Sequence, residues 1–423
     1  MTPDTRRLEQ VARAALFAFV AALPVSIAIS SLLLTATLGL WLALLVRGRE
    51  RLRLPAFFPP LAAYALLTMV AVSASVDPPA SLSDAREVLL FLVVPAVYRL
   101  ARGRAAATVA GIIVTVGSLT ALYGIVQYGI LEYDHLGRRP QGSMGHYMTY
   151  SGLLMLVIGV AAARVLFDAR NRTWAGLVLP ALAVALALTF TRSAWVGACL
   201  AVGLLLVLKD LRLLAAAPVL AALFFMLAPA GITDRAYSMF DPQDPTNRDR
   251  FAMGRAGLRM VADHPLTGVG PDMVQRLYPR YRDEAAVNDT NPHLHNVPLQ
   301  IAAERGLPAL GAWLWFVVAA ARELAARFRQ PHSRAAAGAG LAALAGMLAA
   351  GMFEYNFGDS EFLMLLLVVL TLPAAGAWSE AHAGGREAAP QNDAAAELIR
   401  SRAALPAGDR QDRRSRPGRQ RAV

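Results

Sequence analysis

The stretch GHYMTYSGLLMLVIGVAAARVL, residues 145–166, decides the fold class, because Arg164 is its only Asp, Glu, Lys or Arg residue. A helix that spans a lipid bilayer needs roughly 20 mostly apolar residues. Further apolar runs lie at 11–29, 31–46, 56–75, 87–101, 105–131, 173–190, 194–208, 213–230, 296–321, 335–353 and 360–378. We therefore predict an all-α polytopic membrane protein with about twelve transmembrane helices.

The composition of the 423-residue chain excludes two broad classes. Its hydrophobic share is 56%, its charged share is 17% and its mean hydropathy is +0.43. An ordinary soluble enzyme is less apolar, and a disordered chain is far less so. The single cysteine, Cys199, excludes an internal disulfide and gives no sign of the redox compartment.

The net charge of +11 comes from arginine, since Lys209 is the only lysine. Basic residues cluster in every second connection between apolar runs, beginning with the N-terminal segment. Cytoplasmic loops of membrane proteins carry this excess, so both termini are predicted to be cytoplasmic. Nucleic acid is not expected as a partner. The first run lacks a small-residue cleavage site and is predicted to be a signal anchor.

Four regions follow from this pattern. Residues 1–230 are predicted to hold transmembrane helices 1–9, and residues 296–378 helices 10–12. Residues 379–423 are predicted to be a disordered, basic, cytoplasmic tail, because they have no sustained apolar period. Residues 231–295 form the longest outer segment, which is predicted to be a periplasmic loop.

The outer loop is predicted to form a helical cap. Asp241–Pro245 is rich in turn residues. A helix is predicted over 247–262 and ends before Pro265, because the residue before proline disfavours the α region. Gly268–Gly270 predicts a tight turn. Pro271 suits the first turn of a second helix that runs to about residue 283.

Basic residues also occur on the outer face, where the topology rule does not explain them. Arg138 and Arg139 lie between two predicted spans, and Arg192 lies in the tight turn Thr191–Trp195. Arg192 could extend along the membrane interface towards lipid headgroups. The alternative is an anion site, since a planar guanidinium binds phosphate in a bidentate way.

Three other positions could carry chemistry. Arg250 starts the cap helix and could bind an anion, lie on a solvated face, or pair with a neighbouring aspartate. His295 enters the tenth span, where a neutral imidazole could accept a proton from a hydroxyl or simply face headgroups. Glu354 belongs to an acidic outer turn and could act as a base or orient His295. The pair Glu304–Arg305 favours an internal ion pair.

The chain contains no Walker loop, no GxGxxG after a strand and no HExxH motif. The predicted outer face has no Asp-x-Asp cluster of the kind that holds a divalent metal on a nucleotide sugar. We therefore expect no metal and no cofactor. Any phosphate chemistry would have to draw its positive charge from arginine.

The order of these features resembles the shared domain of O-antigen ligases and Wzy-type O-antigen polymerases over about 185–320. The resemblance rests on Thr191-Arg192-Ser193-x-Trp195, Arg250, His264-Pro265-Leu266-x-Gly268-Val269-Gly270 and His295-Asn296-x9-Gly306-Leu307-Pro308. Two departures stand out. Gly254 replaces an aromatic residue, commonly Trp. The second small residue after Gly306 falls at Gly311, or Ala309 replaces it.

The resemblance implies transfer of a glycan from undecaprenyl diphosphate to a hydroxyl, at the periplasmic face of the bacterial inner membrane. The acceptor of a ligase is lipid A–core, whereas that of a polymerase is another lipid-linked repeat unit. The resemblance implies catalytic roles for Arg192, Arg250 and His295. The arginines would stabilise the diphosphate without metal, and His295 would deprotonate the acceptor, with inversion at the anomeric carbon.

The remaining candidate substrate-binding residues are Arg138, Arg139, Trp195, Arg255 and Asn296. A ligase that acts on lipid A–core is the leading hypothesis. A polymerase, or a ligase that modifies a protein such as pilin, stays open. A transporter of lipid-linked sugars is the alternative from another class, and a membrane scaffold is a third. Transporters place charged residues at mid-membrane, whereas the candidate functional residues here are predicted to cluster at the outer face.

Overall fold

The computed structural model describes residues 3–48 and 54–387. This part of the chain is all-helical and contains no β-strand, only an isolated bridge between His135 and Arg138. The α-helices are α1 (Pro3–Ala22), α2 (Ile27–Gly48), α3 (Phe58–Ser73), α4 (Pro78–Ala85), α5 (Val93–Leu100), α6 (Arg104–Gly129), α7 (Tyr147–Phe167), α8 (Arg172–Leu188), α9 (Arg192–Lys209), α10 (Ala217–Leu227), α11 (Ala230–Tyr237), α12 (Pro245–Asp263), α13 (Met273–Tyr281), α14 (Val297–Phe328), α15 (Arg334–Gly351) and α16 (Ser360–Glu387).

Seven helices in the described ranges are long and apolar enough to cross a membrane: α2, α6, α7, α9, α14, α15 and α16. The predicted count of about twelve is not confirmed. The other five predicted spans are helical, but α3 and α8 are short and α1 contains several charged residues. The run 87–101 divides into a 3₁₀ helix, Arg86–Leu92, and α5. The run 213–230 divides similarly into Leu211–Ala216 and α10.

The most buried spans are α7 and α16. α7 packs against α6, α8, α9 and α15. Small residues allow close contact at this point: a Cβ added at Gly197 of α9 would lie 2.2 Å from the sulfur of Met155 and 2.9 Å from the carbonyl oxygen of Gly346. Close approach of small residues is how spanning helices pack in lipid. α16 continues to Glu387, so the predicted disordered tail is helical over 379–387. Residues 388–423 lie outside the described ranges.

The segment between α10 and α14 carries α11, α12 and α13. α12 and α13 occupy the two stretches predicted to be helical, whereas α11 was not predicted. Their apolar faces share a small core with the start of α14, built from residues such as Met253, Met260 and Tyr278. The residues between α12 and α13 then dock against a break in α14.

The break in α14 explains the glycines and prolines of the motif. Gly306 has a φ of 80°, and Pro308 has no backbone N–H to continue the helix. The carbonyl oxygens of Ala303 and Glu304 instead accept the N–H groups of Val269 and Gly270, at 2.9 and 3.0 Å. A Cβ at Gly306 would lie 2.2 Å from the carbonyl oxygen of Leu266. The break thereby fixes the α12–α13 segment against the start of α14.

Candidate functional site

A cavity of about 270 Å³ brings the three predicted catalytic residues together. Arg192 is the first residue of α9, Arg250 lies in the first half of α12, and His295 lies two residues before α14. Arg139 and Arg235 also line the cavity. Four arginines therefore face one space, together with a histidine that can accept a proton.

Arg192 is tightly held by the chain between α11 and α12. Its Nη1 donates to the carbonyl oxygen and to Oγ of Ser238, at 2.9 and 3.0 Å. Its Nη2 donates to Asp244 Oδ1 and Asn247 Oδ1, both at 3.2 Å. The guanidinium adds positive charge, but its Nη hydrogens are already engaged. The hydrogen bonds that were predicted to bind a phosphate in a bidentate way are instead donated to Ser238, Asp244 and Asn247.

Asp244 links Arg192 to the start of α12. It caps the helix by accepting the N–H of Asn247 at 3.2 Å. Burial favours a higher pKa for the Asp244 carboxyl, but the neighbouring Arg192 guanidinium and the Asn247 N–H outweigh it and lower the pKa. Asp244 therefore remains a carboxylate that neutralises part of the local positive charge.

Arg250 is the least engaged guanidinium of the cavity. Its Nε is buried and has no hydrogen-bond partner within residues 3–48 and 54–387. Burial lowers the pKa of Arg250, Glu354 opposes this and Arg192 adds to it. Arginine nevertheless stays protonated in proteins. Arg250 is therefore a half-buried cation at the cavity wall, and no described residue accepts a hydrogen bond from its Nε.

Arg235, on α11, is the cavity arginine that the sequence did not identify. Its Nη1 lies 3.8 Å from Asp244 Oδ2, and its buried Nε lacks a partner in the described structure. Burial first, and then the charges of Arg192 and Arg139, lower its pKa to about 10. It is thus a cation at neutral pH in a field that is already positive.

Arg139 and Arg138 have different surroundings. Arg139 lines the cavity, stacks on Tyr147 with its Cζ 4.3 Å from the ring centroid, and donates from Nε to the Leu136 carbonyl oxygen. Arg138 is exposed, stacks on Tyr133 and is not among the lining residues. Only Arg139 of this predicted pair faces the site.

His295 has an unusual backbone, with a φ of 49°. A non-glycine residue in the left-handed region costs about 1–2 kcal/mol, so its surroundings must hold it there. Its Nδ1 lies 2.9 Å from Glu354 Oε2. If this nitrogen carries the proton, Nε2 has a free lone pair. The carboxylate then orients the ring, as in other catalytic base–orienter pairs.

Glu354 lies in the turn after α15 and is charged. Burial favours a higher pKa for its carboxyl, but the charge of His295, the hydrogen bond from its ring and the charge of His293 together lower that pKa to about 2. His293 Nε2 lies 3.6 Å from Glu354 Oε1, and burial lowers the pKa of His293 to about 4. His293 is therefore neutral at pH 7 beside a negative carboxylate.

His293, His295 and Glu354 also form a cluster with metal-ligand chemistry. One ligand atom from each lies within 4.8 Å of the others. Two imidazoles and a carboxylate suit a transition metal such as zinc. The expectation of a metal-free site therefore stays a prediction, and it requires a direct test.

The other predicted substrate-binding residues have structural roles. Arg255 is exposed and forms a forked pair with Asp283, at 2.7 and 2.9 Å. Trp195 Nε1 donates to the Leu186 carbonyl oxygen at 3.0 Å. Asn296 caps α14 by accepting the N–H of Leu299 at 2.9 Å. Of these three residues, only Asn296 lines a cavity beside His295. That cavity is a second one, separate from the cavity that the four arginines line.

A buried aspartate fixes the wall opposite α9. Asp249 Oδ1 accepts the backbone N–H groups of Val287 and Asn288, each at 3.1 Å, and its Oδ2 accepts the side-chain amides of Asn288 and Asn291. These bonds tie the loop before His295 to α12. Asp249 also places Arg250, its neighbour in sequence, at the cavity.

Comparison with known families agrees with this arrangement. A sequence model of the O-antigen ligase family matches residues 175–314, which include Arg192, Arg250 and His295. Members of that family are glycosyltransferase-like enzymes that act on lipid-linked sugars. No curated protein matches the chain. Over residues 175–314 the chain is thus similar to the O-antigen ligase family.

Proposed function

We propose that this protein is an O-antigen ligase that transfers a glycan from undecaprenyl diphosphate to a hydroxyl of lipid A–core. The observation that carries the proposal is the cavity in which Arg139, Arg192, Arg235 and Arg250 surround the space next to His295. A diphosphate would supply the negative charge that this space lacks. We propose that the reaction inverts the anomeric carbon and requires no metal and no ATP.

In the proposed reaction, His295 acts as the general base. Glu354 accepts the Nδ1–H of His295, so Nε2 can remove the proton from the acceptor hydroxyl. The acceptor oxygen forms a bond to the anomeric carbon while the bond from that carbon to the diphosphate oxygen breaks. The electron pair leaves with the undecaprenyl diphosphate, and the proton remains on His295. The Glu354 carboxylate stabilises the resulting imidazolium.

The leaving diphosphate gains charge, and the arginines stabilise it. Arg250 and Arg235 line the cavity, and no described residue accepts a hydrogen bond from their guanidiniums, so they are better placed than Arg192 to donate to phosphate oxygens. Arg192 contributes its charge, and it also positions the α11–α12 connection through Ser238 and Asp244. We therefore assign direct contact with the diphosphate to Arg250 and Arg235, and a mainly positioning role to Arg192.

A lipid-linked donor also needs an apolar path beside the site. A groove of about 800 Å³ runs between α9, α14 and α15, and its lining residues carry no charge. Such a groove suits the polyprenyl chain of the donor, which would stay in lipid while the headgroup binds the arginines.

We propose that the site faces the periplasm of the inner membrane, with both termini cytoplasmic. The support is the placement of basic residues, because every second connection from the N-terminus onward is arginine-rich. The arginines of the site fall in the other set of connections. Their charge is then explained by a ligand rather than by topology.

A reconstituted transfer assay tests the proposal. Purified protein in liposomes receives an undecaprenyl diphosphate-linked glycan and lipid A–core, without ATP and with EDTA. Product on lipid A–core would support the metal-free ligase. Inhibition by EDTA that zinc reverses would contradict the metal-free part and direct attention to His293, His295 and Glu354. Transport of the donor without any transfer would contradict the enzyme.

The products also separate the ligase from its relatives. A polymerase makes a ladder from single lipid-linked repeats, whereas a ligase moves finished chains in one step. Growth of donors on one another would therefore assign the chain as a Wzy-type polymerase. Transfer to neither lipid acceptor, by a well-folded protein, would favour a protein acceptor.

A further inference from the structure

A second cavity, of about 480 Å³, meets the arginine cavity at His295 and Arg250. Both residues line both spaces. The second cavity is bordered by the segment from Met239 to Pro242, by α12 and by the turn at Met352 and Phe353. The proposed base and a proposed diphosphate ligand therefore stand between two chambers with different linings.

The second chamber combines aromatic faces with hydrogen-bonding groups. Phe240, Phe251 and Phe353 are exposed, and the polar side chains of Asp241, Arg250 and His295 line the same chamber. The apolar groove between α9, α14 and α15 has no charged group and suits an isoprenoid chain. Apolar walls with a few oriented polar groups suit a sugar, whose ring has an apolar face and hydroxyls at its edge.

Gly254 opens this chamber. A Cβ added at Gly254 meets no atom within 4 Å. At Gly257, one turn further along α12, an added Cβ would lie 2.6 Å from a methyl group of Leu294. Gly257 is therefore required by packing, whereas Gly254 leaves space that a side chain could fill.

We propose that this second chamber holds the acceptor saccharide, and that the open space at Gly254 sets the size of acceptor that fits. The proposal rests on the proposed function. An inverting displacement needs the hydroxyl to approach the anomeric carbon opposite the leaving diphosphate. The two substrates must therefore occupy different spaces, and the base must border the acceptor's space. His295 meets this requirement, because it borders both chambers.

A series of substitutions at Gly254 tests the proposal. Wild type and the variants Gly254→Ala, Gly254→Leu and Gly254→Trp are reconstituted, and KM is measured separately for lipid A–core and for the undecaprenyl diphosphate-linked glycan. The acceptor KM should rise with side-chain size, by about tenfold or more for tryptophan, while the donor KM changes less than about twofold. Leu258→Trp is the matched control, since Leu258 is exposed on the same helix and is not among the residues that line this chamber.

The outcomes separate the possibilities. An unchanged acceptor KM in a folded Gly254→Trp protein would overturn the proposal. A rise in the donor KM alone would also overturn it and would assign the chamber to the donor lipid. Phe251→Ala is the second variant, in case the tryptophan prevents folding. Loss of an exposed aromatic wall should raise the acceptor KM without affecting the donor. If the wild type transfers nothing, the proposed function fails rather than this assignment.

Discussion

Arg305 and the arginines of the cavity beside His295 have opposite charge balance. Arg305 of α14 is paired with Glu304 and, at 3.1 Å, with Asp84, and its Nη1 also donates to Tyr355. One guanidinium thus has two carboxylates. Four arginines line the cavity beside His295: Arg139, Arg192, Arg235 and Arg250. Asp244 lies beside Arg192 and Arg235, Glu354 is the carboxylate with the largest effect on Arg250, and Asp249 is occupied by amides.

This difference separates a structural cluster from a binding site. A buried charge is tolerated when it is paired, and Arg305 has two carboxylates beside its single charge. The Nε–H groups do not distinguish the two places, because those of Arg235, Arg250 and Arg305 all lack a partner in the described structure. The cavity differs in its charge balance, because four guanidiniums line it and fewer carboxylates lie beside them. Clustered charges that the protein itself does not balance are typical of functional sites. Substitutions in the two groups should therefore have different consequences.

The largest effect on transfer is expected at the residue that both chambers share. His295→Ala removes the proposed base and should lower kcat by about 10²–10⁴-fold. The initial rate of the reconstituted reaction measures this loss. The thermal unfolding temperature should also fall, because the buried Glu354 carboxylate loses its partner, so the rate is expressed per folded protein. Wild-type turnover in this variant would remove His295 from the mechanism.

The next largest effect is expected at the unpartnered guanidinium. Arg250→Ala should lower kcat/KM for the donor by about 10²–10³-fold, because a preorganised donor to the leaving group is lost. Arg255→Ala is the matched control on the same helix, since Arg255 binds Asp283 at the surface. It should remain within about threefold of wild type. Equal losses in both variants would contradict the distinction between them.

Arg305 should affect stability rather than donor binding. Arg305→Met leaves Glu304 and Asp84 without their cation, and removal of one partner from a buried pair costs about 3–5 kcal/mol. Unfolding in detergent, followed by circular dichroism, measures this loss. Affinity for undecaprenyl diphosphate in the folded fraction should stay near wild type. A specific loss of that affinity would mean that the Arg305 cluster belongs to the site.

Arg192 should show a smaller, structural effect. Arg192→Lys keeps the charge but cannot reach Ser238, Asp244 and Asn247 together. We expect a loss of about tenfold in kcat/KM, with faster amide exchange over 238–247, because the fork that fixes this segment is gone. Hydrogen–deuterium exchange measures the second effect. Normal exchange with lost activity would assign Arg192 to direct phosphate contact instead.

The smallest effect concerns acid stability. The pKa of His293 is lowered by burial to about 4, from an ordinary value near 6.5, so the unfolded chain binds the proton first as the pH falls. Stability should therefore decrease between pH 6.5 and 4, by on the order of 1–3 kcal/mol. His293→Gln should reduce this dependence of the free energy of unfolding on pH, which unfolding experiments at several pH values measure. An unchanged slope would contradict the assignment.

The sequence predicted the residues of the site better than their partners. Hydropathy predicted an all-helical membrane protein, and seven described helices are long and apolar enough to cross a membrane. The motif spacing pointed to Arg192, Arg250 and His295, which the structure brings to one cavity. Sequence spacing could not show that Arg192 is occupied by Ser238 and Asp244, since those contacts cross more than 45 positions. Arg235 was missed because α11 is a short helix with no apolar period.

The number of membrane-spanning helices could not be predicted from the sequence either. Hydropathy counts apolar residues, but it does not see that Arg86–Leu92 forms a 3₁₀ helix before α5. The role of Gly254 required the structure too. In sequence it resembles Gly257, and only the surrounding atoms show that one glycine is packed and the other is open.

The most direct test of the central claim is a binding measurement with the leaving group. The affinity of the protein in nanodiscs is measured for undecaprenyl diphosphate and for undecaprenyl monophosphate, at several salt concentrations. Wild type should prefer the diphosphate by about tenfold or more, since each charge-assisted hydrogen bond contributes about 1.5–3 kcal/mol. The double variant Arg235→Ala/Arg250→Ala should lose this preference, and Arg255→Ala should keep it. Equal affinity of the wild type for both lipids would contradict a diphosphate site among these arginines.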